Sequence, residues 1–185
     1  MKLWKSLLLI LLVSAFASSA RADHLADKLA ASGRPETKLA GIHLTDHTKL
    51  AEVIRLYGKP TRIKSWASTE PQFWGSYEYD WKRAGINLHI VVECPFKVIP
   101  ENGVVTLIET NAGTSRKIAR TGRGLRIGQS LRDLQRLYGR RYHLRYIPSR
   151  RIHDVALAWR QKEYTLIATL DGHNRITGLS LVASE

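Results

Sequence analysis

Apolar residues recur at helical spacing in two short stretches of this 185-residue chain. The stripes are Leu50, Val53, Ile54 and Tyr57, and then Leu131, Leu134, Leu137 and Tyr138. This period predicts two amphipathic helices, the second beginning near Gln129. Gly58 and Gly139 follow the stripes and can end each helix in the left-handed conformation. Thr45 or Asp46 can cap the first helix.

Strand signals fill most of the remaining chain. Segments rich in β-branched and aromatic residues, separated by turn residues, lie at 62–66, 76–82, 86–93, 104–110, 142–147, 154–160, 164–170 and 176–182. In the second segment Tyr77, Tyr79 and Trp81 alternate with polar residues, so we expect these three in the core. Asp171-Gly172 marks a hairpin between the last two segments.

The helix stripes belong to an internal repeat. Leu44, Leu50, Val53 and Leu56-Tyr57-Gly58 align with Leu125, Leu131, Leu134 and Leu137-Tyr138-Gly139 at a fixed offset of 81. The repeat predicts an α+β fold of two tandem modules at 41–112 and 124–185. Each module would be a helix followed by an antiparallel meander, with the helices packed on one face of the sheet and the other face open. A polar, basic linker would occupy 113–123.

The N-terminus has the pattern of a secretory signal peptide at 1–22. Lys2 and Lys5 precede a short apolar run, and Ala20-Arg21-Ala22 fits a cleavage site. The run is shorter than the ~20 residues of a membrane span. Residues 23–40 would then form a short helix at 23–31 and a linker at 32–40. We therefore predict a periplasmic or secreted protein, although the pattern alone does not separate the two locations.

Charge is concentrated in one half of the predicted mature chain. Residues 23–112 contain 11 basic and 11 acidic residues, whereas residues 113–185 contain 15 basic and 5 acidic ones, and 13 of those 15 are arginine. Guanidinium groups favour paired hydrogen bonds to carboxylates and phosphates. The second half therefore predicts an acidic protein or an anionic envelope component as partner, with membrane-surface contact also open. Few aromatics interleave with the arginines, which argues against nucleic acid.

The candidate partner-binding residues are arginines of the second helix and the chain after it, together with two aromatics in a loop of the first module. They are Arg132, Arg136, Arg140, Arg141, Arg145, Phe73 and Trp74. The first three fall at helical spacing and would form one stripe. Phe73 and Trp74 lie between Pro71 and Gly75, where we expect them to be exposed, as aromatic binding hot spots often are.

The second repeat also resembles a known module. Gly124 to Gly139 reads Gly-x-x-x-Gly-x-Ser-Leu-x-Asp-Leu-x-x-Leu-Tyr-Gly, which is similar to the β-lactamase-inhibitor-protein-like tandem module family. The small outer-membrane assembly lipoprotein shares this type of module. The resemblance implies a secreted or periplasmic, non-enzymatic binding protein. The only cysteine, Cys94, permits neither the inhibitor's disulfides nor an acylated N-terminal cysteine, and His47 and Lys49 replace Gly128 and Ser130 in the first copy.

Catalytic and metal signatures are weak in this sequence. His43 and His47 are four residues apart, but no third ligand is evident, so we predict no metal and no cofactor. Cys94 follows an apolar segment and is expected to be a buried thiol. The alternative hypothesis is a small secreted hydrolase or metal-dependent enzyme. It requires histidine and carboxylate side chains to converge in the fold, which the sequence does not indicate.

Overall fold

The computed structural model describes residues 31, 33–45, 47–66, 74–95, 102–147, 152–158 and 164–183. The helices are α1 (Leu50–Tyr57) and α2 (Leu131–Tyr138). The strands are β1 (Lys38–Leu39), β2 (Ile42–His43), β3 (Arg62–Trp66), β4 (Trp74–Arg83), β5 (Ile86–Pro95), β6 (Val104–Asn111), β7 (His143–Ile147), β8 (Ile152–Ala158), β9 (Tyr164–Leu170) and β10 (Ile176–Ala183). The predicted signal peptide lies outside the described residues, as does the predicted short helix except for Ala31.

Eight strands form one antiparallel sheet in the order β3-β4-β5-β6-β10-β9-β8-β7. Consecutive strands pair within each half of the sheet, and the halves join where β6 pairs with β10. At that junction Ile108 lies opposite Leu181 and Thr110 lies opposite Leu179. The short strands β1 and β2 form a separate hairpin.

The predicted α+β fold of two tandem helix-plus-meander modules is wrong. The described residues form a mostly antiparallel β structure with one eight-stranded sheet and a separate two-stranded hairpin, and their two helices have eight residues each. Each helix buries only two side chains, so the strands supply most of the core. The pairing of β6 with β10 merges the two meanders. The module boundaries at 41–112 and 124–185 stay predictions, although each range supplies four consecutive strands of the sheet.

In β4, β5, β6, β8, β9 and β10, alternate residues point into a common core, and we call that side of the sheet the core face. One row runs from β4 to β7 through Trp81, Leu88, Thr110, Leu179, Ala168, Val155 and Leu144. Every member except Leu144, on the edge strand β7, is buried. The same core contains Leu50 and Val53 of α1 and Leu134 and Tyr138 of α2. Side chains on the opposite side, the outer face, are partly exposed in the central strands.

Several residue-level predictions are confirmed. Tyr79 and Trp81 are buried and Tyr77 packs against the core. The Trp81 indole N–H donates to the Gly58 carbonyl oxygen at 2.8 Å, which ties the end of α1 to β4. Cys94 is buried, and burial raises the pKa of its thiol.

The predicted cap of α1 is different. Lys49, not Thr45, is the N-cap residue of α1, and Asp46 lies outside the described residues. The Thr45 backbone N–H instead donates to Thr48 Oγ1 at 2.8 Å, and the two hydroxyls are hydrogen-bonded at 3.0 Å. Thr45 therefore stabilises the turn that precedes the helix.

Candidate partner-binding surface

The second helix is capped at both ends by residues that the repeat pattern contains. The Ser130 hydroxyl accepts from the Asp133 backbone N–H at 3.3 Å, and the Ser130 N–H donates to the Asp133 carboxylate at 3.0 Å. These reciprocal bonds form a capping box. At the other end Gly139 has a φ of 84°, a backbone conformation that residues other than glycine rarely adopt. The residues at its two ends therefore fix where α2 begins and where it ends.

The N-terminal end of α2 is anchored to the turn between β9 and β10. The Leu131 N–H donates to the Asn174 carbonyl oxygen at 3.0 Å. The Ile176 N–H donates to the Gln129 carbonyl oxygen at 2.8 Å. Asp171 shapes this turn by accepting from the backbone N–H groups of Arg175 and His173, which also hold the pKa of its carboxyl below the ordinary value. The helix surface consequently has a fixed orientation relative to the sheet.

Arg132 and Arg136 lie on the exposed side of α2, as the helical spacing predicts, whereas Arg140 lies just beyond the helix, which ends at Tyr138. We call these three residues the arginine stripe. All three are exposed, and together with Asp133 and Gln135 they line an open pocket of about 460 Å³. The structure thus brings three of the seven predicted binding residues into one cavity.

The pocket is basic although it contains Asp133. Hydrogen bonds from the Ser130 backbone and hydroxyl, with smaller contributions from Arg136 and Arg132, hold the pKa of the Asp133 carboxyl below its ordinary value. Arg136 Nη2 lies 3.1 Å from Asp133 Oδ1, and the Arg136 side chain is 72% exposed. A surface pair of this kind contributes little free energy. Within the described part of the chain, Arg132 and Arg140 make no ion pair, so a net positive charge remains at the pocket.

The remaining predicted arginines extend this basic region away from the pocket. Arg141 is exposed and follows the stripe directly, whereas Arg145 lies on the outer face of β7 and does not line the pocket. The α2 helix is connected to this region because the Gln135 side-chain amide donates to the Tyr142 hydroxyl at 2.8 Å. The five predicted arginines therefore lie in one region of the molecule, but only three of them line the pocket.

The two aromatic candidates are not part of this surface as described. Phe73 lies outside the described residues. Trp74 is the first residue of β4 and pairs with Pro95 on β5, at the opposite half of the sheet from β7. The description of Trp74 is limited to its backbone, so its predicted exposure stays a prediction.

A buried carboxylate that the sequence analysis did not single out stabilises the segment before α2. Glu36 is only 4% exposed, and its oxygens accept from the backbone N–H groups of Thr37, Lys38, Gly122 and Arg123 and from the Tyr138 hydroxyl. The Tyr138 bond is 2.6 Å long. A Cβ added at Gly122 would lie 2.7 Å from Glu36 Oε1, so a larger residue at that position would displace the carboxylate. Apart from the glycine at 122, nothing in the local sequence indicates this network.

One linker arginine has a structural role in the same network. The Arg123 guanidinium lies 4.9 Å above the Tyr138 ring and donates to the carbonyl oxygens of Arg34 and Leu137. It therefore holds the linker against α2, and its hydrogen-bonding groups are largely occupied. By contrast Arg116, Lys117, Arg120 and Arg126 are exposed.

The outer face differs in charge from the arginine corner. Its first four strands carry the carboxylates Glu78, Glu93 and Glu109, the buried carboxylate Asp80, and the cations Arg62, Lys64 and Lys82. Lys64 Nζ lies 3.3 Å from Glu78, and His89 Nδ1 lies 2.8 Å from Asp80. This part of the sheet is balanced in charge, so it lacks the excess positive charge that would attract an acidic partner.

Metal ligands do not gather in the part of the chain that the structure describes. No group of three histidine, cysteine or carboxylate residues there could hold a metal ion. The His43 ring, one of the two histidines considered above, is hydrogen-bonded to the Thr37 hydroxyl at 2.7 Å. In the described ranges, no helix is both long and apolar enough to cross a bilayer.

Comparison with known proteins adds little to this description. No protein-family model matches the chain, and no curated protein matches it significantly. The chain is similar to the crystal structure of a DUF4309 family protein from Bacillus subtilis at 16% sequence identity and a TM-score of 0.46. The match covers 78% of this chain and 83% of that one. Because the TM-score is low, we draw no argument about fold or function from this similarity.

Proposed function

We propose that the protein is a secreted or periplasmic, non-enzymatic binding protein that docks an acidic polypeptide at the corner formed by α2 and the start of β7. The observation that supports this most is the arginine stripe. Its three exposed arginines line one pocket, in which Asp133 is the single lining carboxylate. Arginine favours such a role because its planar group pairs with carboxylates through two hydrogen bonds.

The charge distribution supports this corner over the open sheet face. An acidic partner on the outer face would approach Glu78, Glu93 and Glu109, and like charges weaken association. At the corner it would meet the stripe and Arg141, with Asp133 occupied by the helix cap. We therefore assign the acidic partner to α2 and β7 and assign no ligand to the outer face.

The test compares two variants that each lose three positive charges, one at the arginine stripe and one at a control region. One variant combines Arg132→Gln, Arg136→Gln and Arg140→Gln; the other combines Lys59→Gln, Arg62→Gln and Lys82→Gln, all exposed and remote from α2. Glutamine is a good helix former, so α2 is expected to remain folded, which circular dichroism checks. Tagged mature protein would be used to capture partners from an envelope fraction.

The stripe variant is expected to lose about tenfold or more in affinity for the captured acidic protein, while the control variant retains it. Raised salt should weaken capture by the unmodified protein because exposed charges are screened. Equal losses in the two variants would mean that net charge alone attracts the partner. Unchanged capture by the stripe variant would contradict the proposal.

The export part of the proposal rests on residues 1–22, outside the described chain. If the signal peptide is cleaved after Ala22, protein purified from the envelope fraction begins at Asp23. Removing Lys2, Lys5 and Arg21 would also lower the formal net charge from +13 to +10. N-terminal sequencing and the intact mass test this directly, and an uncleaved cytoplasmic protein would contradict it.

A further inference from the structure

The two edges of the eight-stranded sheet differ in what surrounds them. Among the described strands, β3 pairs only with β4 and β7 pairs only with β8. In an antiparallel strand, every second residue directs its N–H and C=O away from its paired neighbour. Such an edge can accept a further strand through main-chain hydrogen bonds. The backbone of each edge strand therefore offers a row of donors and acceptors for an extended chain.

Among the described side chains, each edge strand has an exposed large apolar residue on the core face. Leu144 on β7 is 57% exposed and Ile63 on β3 is 60% exposed. Register places Leu144 beside Val155 and Ile63 beside Tyr79, so each lies at the end of a row of core residues. A strand added at either edge would extend the core row and cover this side chain.

Charge separates the two edges. Along β3, Lys64 is paired with Glu78, and Asp80 lies opposite Arg62 on the neighbouring strand. The start of β7 is preceded by Arg140 and Arg141, and Arg145 lies within the strand. No ion pair is formed by Arg145 within the described ranges. On the outer face Asp154 lies opposite Arg145, as Asp80 lies opposite Arg62. The excess positive charge at the β7 edge therefore comes from Arg140, Arg141 and the nearby arginine stripe.

The position of α2 places the arginine stripe on the same side as Leu144. The Gln135–Tyr142 hydrogen bond joins the helix to the residue just before β7. Side chains of an added strand alternate between the two faces. Those on the core face would lie toward Leu144 and the helix, and those on the outer face would lie toward His143 and Arg145. Cations consequently border both faces of the β7 edge.

We propose that the acidic partner binds as an extended segment that adds a strand to the free edge of β7, with an apolar residue against Leu144 and carboxylates toward the neighbouring arginines. This inference rests on the proposed function, because it specifies how the acidic partner is held. The main-chain bonds would supply affinity without a requirement for one partner sequence, and the arginines would select for acidity.

The test uses an alternating Glu-Val peptide of about nine residues, long enough to span a typical strand, and the full mature protein. Two modified peptides carry N-methyl groups on all glutamates or on all valines. Both keep the charge, but each removes the backbone donors on one edge of the strand. If the peptide adds to β7, one modified peptide should bind about tenfold or more weakly while the other binds like the parent.

Two protein variants form a matched pair for the same titration. Leu144→Ser should weaken binding several-fold, whereas Ile63→Ser, equally exposed on the other edge strand, should leave it unchanged. Exposed substitutions of this kind have small effects on stability, so both variants should fold. Equal effects of the two serines would contradict the assignment to β7.

The outcomes separate this inference from the proposed function. If both N-methylated peptides bind like the parent, or both lose affinity equally, strand addition is overturned. In that case a loss on neutralising the arginine stripe would still support acidic docking at the corner. If the parent peptide does not bind, or binds independently of the stripe, both the proposed function and the strand addition fail.

Discussion

The Tyr138 hydroxyl connects three parts of the chain that are distant in sequence. It donates to Glu36 at 2.6 Å and is hydrogen-bonded to the Thr121 hydroxyl at 2.7 Å, and Tyr138 is only 2% exposed. Glu36 lies 102 residues before it. The sequence predicted Tyr138 as an inward residue of the helix stripe but contained no pattern for its polar partner. Local periodicity reports which face is buried and not which distant group a buried hydroxyl meets.

The Tyr138→Phe substitution is expected to lower the free energy of unfolding by about 1–3 kcal/mol, because Glu36 remains buried and loses a donor. Tyr57→Phe provides the matched comparison at the repeat-related position, where the hydroxyl donates to the neutral carbonyl of Ala40. We expect a smaller loss there, near ~1 kcal/mol. Urea denaturation measures both, and equal losses would argue against a special role for the carboxylate.

Alkaline pH should destabilise the protein through the same hydroxyl. Burial and the bond to Glu36 raise the pKa of Tyr138 above its ordinary value of 10.0. The unfolded chain ionises near that ordinary value while the folded chain does not. The stabilisation is therefore complete below about pH 10 and is lost as the pH rises above it.

The measurement is the unfolding midpoint between about pH 9 and pH 11 in the unmodified protein and in Tyr138→Phe. The decline with pH should be shallower in the variant. Tyr57, whose pKa is also raised by burial, contributes to the decline that remains. Identical pH dependences would show that Tyr138 does not contribute.

A buried hydroxyl in the centre of the sheet offers a stabilising change. Thr110 is fully buried in the row of core residues, and its Oγ1 has no hydrogen-bond partner within the described residues. Valine has nearly the same shape without the hydroxyl, so Thr110→Val should raise the free energy of unfolding by about 1 kcal/mol. Thermal denaturation tests this, and a lower melting temperature would indicate that the hydroxyl has an important partner.

At the scale of elements, the two helices of the repeat differ in how they begin. Ser130 caps α2 through its side chain, whereas Lys49 at the equivalent position of α1 makes no side-chain capping bond. Ser130→Ala should therefore cost about 1 kcal/mol, and Lys49→Ala should cost less than about half of that. Chemical denaturation compares them. A larger effect at Lys49 would contradict the assignment of the α2 cap.

Strand positions followed closely from sequence, whereas the pairing between the halves did not. The segment predicted at 164–170 matches β9, and the one predicted at 104–110 falls one residue short of β6. These strands show β-branched residues in local runs, which is a short-range signal. The pairing of Ile108 with Leu181 is set by burial of two faces from distant parts of the chain, so no local pattern indicated it.

At the scale of the whole molecule, the junction of β6 and β10 makes one core out of residues from both halves. Leu88 and Val155 belong to one buried cluster. We therefore expect a single cooperative unfolding transition, with calorimetric and van't Hoff enthalpies that agree. Two separate transitions in differential scanning calorimetry would favour independent modules and contradict this description.

The candidate site was predicted in part because its signal is compositional. Arginine spacing in the sequence predicted the stripe of Arg132, Arg136 and Arg140, and the structure places these residues in one pocket. Arg145 was grouped with them because it is close in sequence. Residues of a strand alternate between the two faces of the sheet, and Arg145 lies on the outer face of β7. The relation of the stripe to a free sheet edge depended on strand order, which sequence did not reveal.

Docking of an acidic segment at α2 and β7 is tested most directly by mapping where an acidic extended peptide binds. The mature protein, labelled with ¹⁵N, would be titrated with the Glu-Val peptide at low salt and followed by amide chemical shifts. If the peptide binds at α2 and β7, the largest shifts fall between Leu131 and Ile147, and those in β3 stay small. Shifts centred on the outer face of β4 to β6, or spread evenly over all basic residues, would contradict it.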